Sequence, residues 1–246
     1  MSTFSRQLKF AYKNFISGNY NLLLIFLVLI FIFRPFAPSE FYLGIWKMFL
    51  TGTLMAAIFN CEHTSWIKHF VSYLAVPSVI LTWLDLFFPH ELIVVSFAFF
   101  TILFISVCTA SILYDVVFRA RVSAETLRGV VCAYFLVAFM FSYIYFLIEY
   151  ISPGSFTIHD IKVPIFPHNY YLSQMLYFSF ITLLTIGFGD IVAVKDMAQT
   201  ACVLEGIIGQ FYIAILVSRL VAIYASKSEK KIVETVEKDL KKKKPL

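Results

Sequence analysis

Residues 182–193 read TLLTIGFGDIVA, with two glycines and an aspartate at the end of a strongly apolar run. A helix that crosses a bilayer needs about 20 apolar residues. The run that ends here, 171–184, offers only 14 before Thr-Ile-Gly-Phe-Gly-Asp breaks it. That length predicts a re-entrant helix, entering and leaving the bilayer by one face, followed by backbone that is not helical.

The rest of the chain supports a membrane setting. Its 246 residues are 60% hydrophobic with only 14% charged, far from the soluble average. Six further runs approach the length of a span: 20–36, 41–59, 70–88, 92–118, 130–151 and 198–225. The net charge of +5 does not point to nucleic acid, because the lysines and arginines sit in short clusters between apolar runs, where they report orientation. With the N-terminus inside and 171–184 not crossing, fifteen basic residues face the cytoplasm, and only Arg34, Lys162 and Lys195 lie outside. A crossing at 171–184 would carry the eight tail lysines outward and reverse that balance. Arg6, Lys9 and Lys13 ahead of 22–33 imitate a secretory leader, but Pro38 in the following RPFAPSE disfavours cleavage, so this run reads as a retained first span. Cys61, Cys108, Cys132 and Cys202 are too widely spaced for a disulfide framework or a metal site.

The expected fold is an all-α integral membrane protein of the cell membrane with both termini cytoplasmic. A cytoplasmic segment 1–19 precedes four transmembrane helices in 20–118. An interfacial linker, 119–129, with Ser123 as a helix N-cap, leads to a two-helix module in 130–225, and a basic tail, 226–246, follows.

Backbone without regular hydrogen bonds is tolerated at membrane depth only where protein buries it or where it lines a wet cavity. Residues 185–190 should therefore line water. Gly187 and Gly189, at alternate positions, permit conformations that a Cβ resists, so successive carbonyls can point one way. Inward carbonyl oxygens replace the hydration shell of a cation, and one chain supplies one oxygen per level. Closing each ring needs several copies about an axis.

TIGFGD, preceded by YYLSQMLYFSFITLL and followed by a long apolar helix containing Gly206 and Gly209, resembles the pore module of the tetrameric potassium channels over about 130–225. The resemblance implies a homotetramer in membrane lipid that conducts K+ passively, with no covalent chemistry, no cofactor, no soluble partner and no nucleic acid. It implies K+ sites at the carbonyls of Thr185, Ile186, Gly187 and Phe188 and the Thr185 hydroxyl, with Gly189 and Asp190 supporting this filter. Ile186 and Phe188 replace the commoner Val and Tyr, and Phe188 brings no hydroxyl to anchor the loop. Tyr177, thirteen residues before Asp190, either braces that aspartate or is aromatic filler. Gly209, nineteen residues after it, sits where the family has its gating hinge; close packing of GIIG is the alternative.

Ionisable residues in apolar runs are costly and usually face protein or water. Lys47, Asp85 and Asp115 could tie the leading helices together, Lys47 pairing with an acid. Glu149 closes the fifth run. Glu205, one turn before Gly209, either couples the inner helix to the filter or is a paired structural carboxylate. The four leading helices have the number of a voltage sensor without its chemistry, since 92–118 contains no lysine or arginine, and Arg119, Arg121 and Arg128 come only afterwards. In the tail, Ile232, Val236 and Leu240 form an apolar stripe that suits a bundle, a lipid surface or a solvated end.

Two rivals remain. One is a nonselective cation channel. The other is an intramembrane aspartyl protease, suggested by Tyr114-Asp115 together with the GxGD at 187–190. Against the protease, Lys195 and Asp196 put Asp190 near a membrane edge, a crossing there reverses the charge balance, and the PAL element of those enzymes is missing.

Overall fold

The computed structural model describes residues 19–33, 40–60, 65–88, 90–118, 124–158, 168–216 and 218. The Ser123 cap, Arg119, Arg121, Lys162 and the tail stripe lie outside the described residues, as does the side chain of Asp115. Seven helices occur among the described residues: α1 (Asn19–Phe33), α2 (Glu40–Asn60), α3 (Ser65–Phe87), α4 (Glu91–Phe118), α5 (Ala124–Ile151), α6 (His168–Leu183) and α7 (Asp196–Leu216). Apolar residues surround most of them on all sides, as expected where lipid or other helices replace water.

Three stretches of the described residues are long and apolar enough to cross a membrane: Glu91–Tyr114, Leu127–Ile151 and Asp196–Leu216. Tyr20–Phe33 and Lys47–Ile58 are shorter apolar helices. The expected re-entrant piece is α6, 16 residues long and ending where the first glycine approaches.

α5 is the hub. α1 packs on α2, α2 on α3 and α3 on α4, while α1, α4 and α6 all pack on α5. Aromatic rings mark these seams. Phe97 of α4 meets Tyr143 of α5 edge-on at 5.6 Å, and Phe180 of α6 is met by Phe135 of α5 at 5.3 Å and by Phe31 of α1 at 5.1 Å. Edge-to-face pairs of this kind contribute about 0.5–1.5 kcal/mol beyond their buried area.

Among the described residues the fold is all-helical as expected but for one short ribbon, which the sequence reading lacked. β1 (Phe156–Ile158) pairs antiparallel with β2 (Ile191–Ala193), Phe156 opposite Ala193 and Ile158 opposite Ile191. The cause is local: the chain leaving α5 and the chain leaving the TIGFGD loop run side by side, and each has backbone groups that no helix satisfies.

Lys47 of α2 and Asp85 of α3 form a buried ion pair with Nζ to Oδ2 at 2.9 Å. A charge at this depth persists only with a partner, and loss of one member leaves the other uncompensated at about 3–5 kcal/mol. Lys47→Met should therefore lower stability by roughly that amount in denaturant titrations of detergent-solubilised protein. Lys47→Met combined with Asp85→Leu should recover most of it, and a double variant no better than the single would contradict this account.

Candidate functional site

The site begins at the C-terminal end of α6. A helix leaves its last carbonyls without intrahelical partners, and here they are taken up by the loop itself. Leu184 N–H donates to the Phe180 carbonyl at 2.9 Å, Thr185 N–H to Thr182 at 2.9 Å, and Ile186 and Gly187 N–H both to Ile181 at 2.8 and 3.3 Å. The carbonyl of Leu183 accepts from the Tyr134 hydroxyl of α5 at 3.1 Å.

From this anchor the backbone alternates. Thr185, Gly187 and Gly189 have φ of 58°, 56° and 77°, and Thr185 is the one non-glycine residue of positive φ among the described residues. The intervening Ile186 and Phe188 keep negative φ, so the sign of φ alternates along 185–189. Residues 184–189 are all exposed in the single chain, Phe188 at 69%. Such large apolar side chains beside irregular backbone call for cover from outside this chain. Asp190 is half-buried, and its Oδ1 accepts from the Ile191 N–H at 3.1 Å. Tyr177 is partly buried on α6 against the apolar core.

Gly209 lies against the end of α6. A Cβ there would stand 2.6 Å from the Leu183 carbonyl oxygen, so close approach of α7 to α6 requires glycine. α7 runs as continuous helix through this residue. Most of α7 is left uncovered by the rest of the chain, unlike α5, and Val203, Ile207 and Phe211 are exposed.

On the far side of the loop, Glu149 organises the exit from α5. Its two carboxyl oxygens accept the N–H groups of Gly154 at 2.7 Å, Ser155 at 2.8 Å and Phe156 at 3.0 Å. This turn starts β1, β1 holds β2, and β2 begins one residue after Asp190. Lys195 locks the same corner, donating to Ser152 Oγ at 2.9 Å and to the Pro153 carbonyl at 2.8 Å. Behind the loop, Glu205 of α7 is fully buried and hydrogen-bonds with Tyr145 of α5 and Ser179 of α6. Rings of Tyr145, Phe156 and Phe178 lie 5.2–5.4 Å from one another, joining α5, β1 and α6 around that carboxyl.

Tyr134, Tyr145 and Ser179 escaped the sequence reading, for nothing local separates them from the other tyrosines and serines of apolar helices. The β-branched residues Ile191, Val192 and Val194 were the one available signal for β2.

Residues 130–226 match the family model described as "Ion channel". The match covers less than half of the chain and includes most of α5, then α6, the loop and α7. No curated protein and no solved structure matches. Residues 130–226 therefore carry an ion-channel domain, of a family of channels and not of enzymes, and the apolar helices beside it support a membrane protein.

Glu149 gives the site its first test. Glu149→Ala removes the acceptor of three N–H groups, of which those of the buried Ser155 and Phe156 each cost about 1–3 kcal/mol when left unpaired. Amide exchange over residues 154–158 and 191–194 should accelerate about tenfold or more in hydrogen-exchange mass spectrometry, with α4 unchanged. Unchanged protection there would show that the ribbon holds without the carboxylate.

Proposed function

We propose that the protein is a potassium-selective channel of the cell membrane, conducting passively through a pore shared by four copies. The observation that carries this reading is the alternation of φ sign along 185–189. It suits a column of carbonyl oxygens, with Thr185, Ile186, Gly187 and Phe188 supplying K+ sites and Gly189, Asp190 and Tyr177 behind them. One chain furnishes a single oxygen per level, so four are needed to replace a hydration shell. Exposure of Phe188 and of the α7 face favours cover by neighbouring copies. Gly209 is proposed as a hinge that also permits the close contact with Leu183. In the membrane α1–α4 form the leading helical region, with N- and C-termini cytoplasmic, in keeping with the positive-inside balance.

Ion-replacement recordings from purified protein in lipid bilayers test selectivity. The reversal potential should follow the potassium gradient and shift strongly when sodium replaces potassium, and native mass measurement should give four chains. A reversal potential indifferent to that exchange favours the nonselective reading. Gly187→Ala adds a Cβ that meets nothing within 4 Å in the single chain, so its cost is conformational, about 1–2 kcal/mol per copy for a left-handed residue. Potassium conductance should fall or selectivity weaken in this variant.

Opening should depend only weakly on voltage. A sensor needs several charges that cross the field, each worth about 2.3 kcal/mol per 100 mV. α4 has no lysine or arginine, and Lys47 is neutralised by Asp85. The limiting slope of open probability in symmetric potassium should give a small effective valence; a large one, lost on neutralising Arg119 and Arg121, would overturn this.

A further inference from the structure

Glu205 is 0% exposed within the membrane span Asp196–Leu216. Its Oε2 meets the Tyr145 hydroxyl and its Oε1 the Ser179 hydroxyl. Ser179 Oγ also lies 2.7 Å from the Ala138 carbonyl of α5. These are three oxygen-to-oxygen hydrogen bonds, and each needs a proton. Tyr145 and Ser179 bring one each, and a carbonyl brings none. The third is supplied by the carboxyl group.

The order that satisfies every contact is a single chain. Tyr145 donates to Oε2, the protonated Oε1 donates to Ser179 Oγ, and Ser179 donates to the Ala138 carbonyl. Cys202, on the same helix as Glu205, interacts with Tyr145 and carries its own proton, so it extends the chain without changing the balance. Tyr134 of α5 is the further titratable group within electrostatic reach of the carboxyl. An ionised carboxylate here would face hydroxyls alone at membrane depth, with one hydroxyl forced to abandon a partner.

We propose that Glu205 is held as a neutral carboxylic acid and acts as a positioning residue, tying α7 to α5 and to α6, the helix from which residues 184–190 hang. Its effect on conduction rests on the permeation reading above; its protonation does not. Ser179 stands on α6 ahead of the carbonyls that hold the loop, so this tie reaches the ion path without touching the ion.

Infrared spectroscopy of the intact protein in lipid, paired with potassium flux into vesicles, provides the test. At neutral pH the wild type should show the C=O stretch of a protonated carboxylic acid, and that band should vanish in Glu205→Gln and shift in Ser179→Ala. Glu205→Gln keeps the pattern, its amide N–H donating to Ser179 and its amide oxygen accepting from Tyr145, so flux should stay within about twofold of wild type, while Glu205→Ala should lose about tenfold. A spectrum in which no protonated-acid band responds to Glu205→Gln overturns the proposal, as does a correctly assembled Glu205→Gln protein with flux as low as that of Glu205→Ala. A wild type with the band but no potassium flux upholds the neutral acid and overturns the permeation reading instead.

Discussion

Irregular backbone cannot face hydrocarbon, and the architecture around residues 184–190 follows from that constraint. The loop is held from three sides. Its first N–H groups fold back onto the C-terminal carbonyls of α6, Tyr134 and Gly209 meet the Leu183 carbonyl from α5 and α7, and β2 fastens the outgoing chain to β1. Each support comes from a different element. The remaining side of residues 184–189 is open in the single chain.

Polar groups at these supports are few and committed. Glu149 gathers three N–H groups into one turn, and Glu205 joins three helices. In a medium without competing water such contacts resist exchange, so a handful of side chains can set the position of a loop that has almost no packing of its own. Aromatic rings complete the frame, with Tyr145 contributing both a ring to the cluster with Phe156 and Phe178 and a hydroxyl to Glu205.

The leading helices serve the same end at greater distance. α4 and α1 flank α5, and Phe31 reaches from α1 to the ring of Phe180 on α6. The Lys47–Asp85 pair fastens α2 to α3 without leaving net charge. α1 and α4 therefore meet α5 by direct packing, in a bundle whose fourth helix carries no basic residue.

The sequence by itself determined the membrane class, the short helix before TIGFGD, the glycine positions at 187 and 189 and the need of Lys47 for an acid, because apolar length, backbone permissiveness and the cost of a lone charge are local properties. Tertiary structure alone decided the partners. Lys47 takes Asp85, 38 residues away, and Glu205 takes Tyr145 and Ser179, 60 and 26 residues away. The ribbon joins 156–158 to 191–193 across the whole of α6. A tyrosine that anchors a carbonyl and a tyrosine that fills space have the same neighbours in the chain, and only the crossing of α5, α6 and α7 brings Tyr134 and Tyr145 to the groups they serve.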